Sequence, residues 1–231
     1  MFSKIINVDT ISSSSIWSAQ YFSMSNEGSP SALFPSVRIR DIVKERKETV
    51  SPQSAPFSDY TYLGLENIES NTRTLLLSNM KTGVDVKSTA KLFMAGDVLY
   101  GKLRPNLNKI YLVEDIMAIG ICSTEILVLI PEKNVLPEYL AEILLSADTK
   151  QKAESLTRGA SLPRVQSDDF LNIEVPLPDL TTQNEIVEFI RHHREKWLYY
   201  RSVVNQIPQH IQNSLFEKLY NDNPLLAYTI D

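Results

Sequence analysis

The chain has 231 residues, 43% hydrophobic and 22% charged, which suits one sizeable domain with an appendage. Its single cysteine, Cys122, excludes an internal disulfide and any paired-cysteine metal or redox motif, and points to a reducing, cytoplasmic setting. No apolar run approaches the ~18 residues needed to span a bilayer, and the N-terminal MFSKIINVDTISSSS lacks the apolar core of a signal peptide, so neither membrane insertion nor secretion is expected.

The net charge of −5 hides a partition along the sequence. Residues 71–111 carry seven Lys/Arg against two acids, and residues 150–166 carry four against one; residues 167–231 carry ten acids against five bases. One part of the chain is suited to attract phosphates while another stays acidic. Charge alone leaves open the alternative that these cations are solvated and share no face.

In chain order, LFPSVRIRDIV at 33–43 alternates as a strand or as the entry to a short helix, and TYLGLENI at 61–68 reads as a strand bent at Gly64. KIYLVED at 109–115 and GICSTEILVLIP at 120–131 are rich in branched residues and predict buried strands. A helix is expected over 137–156, with Pro137 in its first turn and Tyr139, Leu140, Ile143 and Leu144 at helical spacing. VPLPDL at 175–180 is a stiff connector, because Pro176 and Pro178 lack N–H donors.

Beyond it, Thr182 and Glu185 have the spacing of a capping box and predict a helix start. Ile186, Ile190, Trp197, Tyr200, Val204, Ile207 and Ile211 then step by fours and threes, with His193 in the remaining slot, as in a coiled-coil seam. A run from 182 to 211 would be ~45 Å long at 1.5 Å per residue, so another helix is its expected partner. A helix folded back along its own domain is the alternative. Pro208 is expected to kink it. The fold class is therefore α+β: a mixed globular domain of sheet and short helices over 1–180, then a long coiled-coil-type helix over 181–231.

Catalytic and metal motifs are weak. GDVLYGKLRP at 96–105 imitates a phosphate-binding loop, but Val98, Leu99 and Tyr100 are strand-like where such a loop curls, and Leu103 replaces the hydroxyl that would hold magnesium. Lys102, Arg104 and Lys109 read better as cations displayed at a strand end and turn stiffened by Pro105. His192 and His193 are adjacent on a helix and point about 100° apart, so no metal site is expected. Ser161 in RGASLPR lacks a nucleophile-elbow context. DNPL at 222–225 lacks the second proline and the aromatic of adenine-methyltransferase motifs.

Taken in order, SSIWSAQYF, TYLGLENI, GDVLYGKLRPNLNKIYLVED, GICSTEILVLIP, LPEYLAEILL, RGASLPRVQ and VPLPDLTTQNEIVEFI resemble the DNA-specificity subunit of type I restriction-modification systems. Gly101 through Pro105 match one family block, and Gly159, Pro163 and Arg164 another. The resemblance implies a target-recognition domain reading one half of a bipartite site on double-stranded DNA, followed by a spacer helix that packs on a second helix and helps bind the modification (methyltransferase) subunit. It implies no catalysis by this chain and no cofactor of its own, with S-adenosylmethionine on the partner methyltransferase.

DNA contacts are expected from Lys102, Arg104, Lys109, Arg158, Arg164, Lys87 and Lys91, positioning on phosphates or, for arginine, reading guanine. Pairing of Arg104 and Arg164 with Asp97 or Glu125 inside the fold is the alternative. A complete subunit of this family carries two recognition domains and two spacer helices, whereas this chain has one of each, as a half-length subunit, a natural truncation or an excised N-terminal half would. Self-association through Ile186, Ile190, Trp197, Val204 and Ile211 would restore the pair, and a restriction subunit could join the complex. Two other readings stay open: the recognition fragment of a fused methyltransferase-nuclease, and an assembly or decoy protein that binds no DNA.

Overall fold

The structure is a computed structural model and describes residues 34–159 and 161–220. SSIWSAQYF and DNPL lie outside the described residues. The chain divides into two compact units, one ending at Asn184 and one beginning at Glu185.

The first unit is built on two sheets. Strands β1 (Ser36–Arg38), β2 (Val43–Glu45), β3 (Thr49–Val50), β4 (Asp59–Leu63), β5 (Asn79–Thr82), β6 (Ala90–Met94), β7 (Val98–Gly101), β8 (Ile110–Leu112), β9 (Ile119–Cys122) and β10 (Ile126–Pro131) come first. Helices α1 (Pro137–Leu145) and α2 (Ala147–Ser155), hairpin strands β11 (Thr157–Arg158) and β12 (Arg164–Val165), helix α3 (Ser167–Leu171), strand β13 (Glu174–Pro176) and helix α4 (Leu180–Tyr220) follow. Five strands pair in the order β3-β6-β9-β4-β5 and four in the order β2-β10-β7-β8; β1 pairs with β13, and β11 with β12.

The core lies between the two larger sheets. Leu63, Phe93 and Cys122 from the five-stranded sheet and Leu99, Tyr111, Ile126 and Val128 from the four-stranded one form a single buried cluster. Period-2 alternation sends Tyr100 to the other face, where its ring stacks on Phe170 of α3 with centroids 3.8 Å apart. Helix α1 packs on β7 and β8 and buries Tyr139, Leu140 and Leu144. A mixed α+β fold with a long C-terminal helix is therefore present, as expected.

Several local expectations are corrected. The apolar run 120–131 is two strands: a turn in which the Ile126 N–H donates to the Ser123 carbonyl (3.0 Å) carries the chain from one sheet to the other. The helix over 137–156 is interrupted at Ser146, whose Oγ accepts the Thr149 N–H (3.2 Å) and caps α2. The Leu145 carbonyl that ends α1 accepts instead from Asn108 Nδ2 (2.8 Å), so each new helix end has a partner. The long helix starts at Leu180, and its cap is Asp179 rather than Thr182. The Asp179 carboxylate accepts the Thr182 N–H (2.9 Å) and hydroxyl (3.1 Å), which hold it below the usual carboxylate range. Gln183 then fastens the first turn: its Oε1 accepts the Leu136 N–H (2.9 Å), and its Nε2 donates to the carbonyls of Asn134 (3.0 Å) and Pro178 (2.9 Å). Pro208 lies within a continuous helix.

In the second unit, Ile186, Ile190, His193 and Trp197 are half-buried, whereas Tyr200, Val204, Ile207 and Ile211 are exposed. The exposed apolar surface is broader than the seam, since Leu198, Tyr199 and Val203 are exposed beside it. No described helix is long and apolar enough to cross a membrane.

Candidate nucleic-acid interface

The segment resembling a phosphate loop is a strand. Gly96 turns the chain at φ +83, and Val98–Gly101 runs fully buried through the four-stranded sheet. Asp97 at its head accepts from Arg46 Nε (2.8 Å) and Nη2 (3.1 Å) and from the Met94 N–H (2.8 Å), so its carboxylate anchors the β6–β7 turn. Gly101 keeps the strand close to its neighbours: a Cβ there would lie 2.7 Å from Leu65 Cδ2 and 3.3 Å from Lys109 Cβ, so a larger residue would make the Leu65 side chain shift.

Past the strand the two sequence blocks meet. The Lys102 N–H donates to the Glu125 carbonyl (2.8 Å), the Val165 N–H to the Lys102 carbonyl (3.2 Å), and the Arg104 N–H to the Pro163 carbonyl (2.7 Å). The segment 102–104 thus lies along β12, with an antiparallel bridge between Leu103 and Arg164. Thr157↔Val165 and Arg158↔Arg164 close the hairpin, whose link contains Gly159 at φ +94. Arg104 itself is left-handed (φ +51, ψ 63), a conformation unusual for a residue with a side chain, and Pro105 follows it.

The side chains divide into two groups. Arg164 is engaged internally: its Nε lies 3.0 Å from both Glu125 carboxylate oxygens and its Nη2 is 2.9 Å from Oε1, the pairing that sequence reasoning held as the alternative. Arg158 pairs with Asp169 of α3 at 2.8 Å. Lys91 pairs with Glu45 at 3.1 Å, both side chains largely buried. Lys109 is turned inward, donating to the carbonyls of Leu65 (2.7 Å) and Ile68 (2.8 Å), and so ties a loop in place. Asp97 is taken by Arg46 and is not a partner of Arg104.

Lys102 and Arg104 form the second group. Among the described residues neither the half-buried Lys102 ammonium nor the exposed Arg104 guanidinium has a hydrogen-bond or ion-pair partner. Burial pushes the Lys102 ammonium below the ordinary lysine range; Lys91 and Arg164 push the same way, against Glu125 and Glu45. Three cations therefore share two carboxylates, and both carboxylates are already held by the other two cations. Lys87 is exposed ahead of β6, and no hydrogen bond or ion pair joins it to this group among the described residues.

A cationic segment missed in the sequence lies nearby. Within Arg38–Lys47, Ile39, Ile42 and Val43 are buried, and Arg46 points inward to Asp97. Arg38, Arg40, Lys44 and Lys47 are left exposed. The pattern was legible, but the interleaved acids Asp41 and Glu45 masked it. Among the described residues no group of three or more His, Cys, Asp or Glu is placed to hold a metal ion.

Comparison with known proteins agrees with the resemblance. Residues 34–201 match the family described as the type I restriction modification DNA specificity domain. The type I restriction enzyme HindI specificity subunit of Haemophilus influenzae is 29% identical over 150 residues, which cover 63% of this chain and 32% of that protein. The crystal structure of the HsdS subunit from Thermoanaerobacter tengcongensis superposes with a TM-score of 0.66 at 25% identity, over 84% of this chain and 50% of that one. The S subunit of a type I system from M. genitalium shares the fold at 12% identity, with a TM-score of 0.55 over 82% of this chain and 46% of that one. The chain thus spans about a third of the curated relative and about half of these solved subunits. With relatives named as specificity subunits, the reading of this chain as a non-catalytic component stands. The chain belongs to the type I restriction-modification DNA specificity domain family.

Proposed function

We propose that this chain is the DNA-recognition part of a type I specificity subunit, binding double-stranded DNA in the cytoplasm and directing an adenine methyltransferase subunit, with or without a restriction subunit, to one target sequence. The observation that carries the reading is a pair of cations, Lys102 and Arg104, with no hydrogen-bond or ion-pair partner among the described residues, on a segment that two distant blocks of sequence hold in place. A half-buried ammonium whose two neighbouring carboxylates, Glu125 and Glu45, are already paired with Arg164 and Lys91 is suited to an anion supplied from outside, and Arg104 stands exposed beside it on a backbone held by hydrogen bonds. In this reading Arg164, Arg158, Lys91 and Lys109 hold the platform, and Lys102 and Arg104 meet the duplex. S-adenosylmethionine belongs to the methyltransferase partner.

The exposed apolar residues of α4, Tyr199, Val204, Ile207 and Ile211 among them, support a helix-to-helix contact. Two copies of this recognition unit joined through the helix would present two half-site readers. Affinity purification of the tagged chain from its host, with mass spectrometry and light scattering, tests the assembly. The expected result is a methyltransferase subunit with two copies of this chain; recovery of the chain alone would overturn the directing role.

A further inference from the structure

Arg40, Lys44, Glu45, Lys47, Asp168 and Leu171 line an open groove of about 400 Å³. Its cations are held by the alternation of their own segment. Ile39, Ile42 and Val43 are buried and Arg46 is clamped to Asp97, so Arg40, Lys44 and Lys47 project outward from a backbone that cannot easily shift. Their existing contacts are weak. Among the described residues Arg40 Nη2 reaches only the Asp168 carbonyl, at 3.4 Å, and Lys44 pairs with Glu132 at the surface with its side chain 73% exposed. Of the two lining carboxylates, Glu45 is already held by Lys91.

The groove adjoins the hairpin: Glu45, one of its walls, is also within electrostatic reach of Lys102. An open groove does not enclose a small anion, whereas a row of projecting cations on rigid backbone matches a polyanion whose charges recur along its length. Resting on the DNA-binding reading above, we infer that Arg40, Lys44 and Lys47 form a second row of phosphate contacts for the same duplex. This row fixes the domain's register, while Lys102 and Arg104 approach from the hairpin.

The test uses the complex as purified from the host, a duplex containing its target, and two measurements. In a salt series, R40Q/K44Q/K47Q is expected to lower the slope of log affinity against log salt by up to ~2.7, at ~0.9 per phosphate. In the unaltered complex, acetylation of Lys44 and Lys47 followed by mass spectrometry is expected to fall at least severalfold when duplex is added, while Lys196 on α4 does not change. The second measurement needs no substitution, so a variant that fails to fold leaves the test intact. Equal acetylation of Lys44 and Lys47 with and without duplex overturns the inference, as does an unchanged slope in a folded triple variant while K102M/R104M still weakens binding. A triple variant that binds duplex normally but loses the methyltransferase subunit would make the groove a protein-docking face, and overturns it too. Absence of salt-sensitive duplex binding by the unaltered complex would remove the functional reading itself, and the groove's role with it.

Discussion

Replacing Lys102 and Arg104 by methionine removes two positive charges with little loss of side-chain volume and leaves Arg164 to hold the hairpin. The backbone bonds that place the segment, from the N–H groups of Lys102 and Arg104 and to the Lys102 carbonyl, do not depend on either side chain. If each cation neutralises one phosphate, the double variant lowers the salt slope by ~1.8. Across a fourfold rise from 50 to 200 mM salt, the advantage of the unaltered protein then shrinks by about tenfold. Fluorescence anisotropy of a labelled duplex with the assembled complex measures both quantities. Arg164→Met is the control, because its guanidinium already faces the Glu125 carboxylate with three contacts at 2.9–3.0 Å. It should leave the slope unchanged and instead speed amide exchange at Arg104 and Val165, whose N–H groups bond between the 102–104 segment and the chain at β12. A slope that falls with Arg164→Met and stays constant with K102M/R104M would refute the division between platform and contact residues.

Other consequences concern the framework. Asp97→Ala leaves the Arg46 side chain, 12% exposed, without its carboxylate, and should cost ~3 kcal/mol, the low end for breaking a buried pair. For a unit of this size that is a fall of about 6–12 °C in Tm by calorimetry, and a fall under 2 °C would show that the pair is not a structural anchor. Burial pushes the Cys122 thiol up to about 12, so the folded protein should resist a thiol-reactive disulfide reagent at pH 8 and react only as it unfolds in guanidinium. The same shift sets a sign. Between the unfolded thiol's value of 9.0 and about 12 the unfolded chain has lost a proton that the folded chain keeps, so this group lowers stability as pH rises through that window. Replacing Ile190 and Val204 by glutamate should give monomers in light scattering; a persistent dimer would locate the contact elsewhere than on α4.

The sequence displayed the blocks but not their meeting. Gly101-Lys102-Leu103-Arg104-Pro105 and Gly159 to Arg164 stood out as motifs about sixty residues apart, yet nothing in either requires that the Val165 N–H bond to the Lys102 carbonyl. Counting cations identified Lys102 and Arg104 together with Lys109 and Arg164, whose partners, the carbonyls of Leu65 and Ile68 and the carboxylate of Glu125, lie 39 or more residues away. Local chemistry was legible in kind and misplaced in register: a polar side chain caps the long helix, but Asp179 takes that position three residues before Thr182. Ser146 divides the helix after Pro137 because its hydroxyl can cap and Asn108 can finish the preceding turn, and only the second of these needs the tertiary fold. The cations at Arg40, Lys44 and Lys47 escaped notice because their common direction follows from the burial of Ile39, Ile42 and Val43.

In the proposed role, this chain chooses which DNA sequence an adenine methyltransferase modifies. Deleting its gene in the host and mapping adenine methylation across the genome tests it directly. One sequence motif should lose methylation completely while all others persist, and should regain it when the gene is restored but not when K102M/R104M is supplied. A methylation map identical with and without the gene would contradict it.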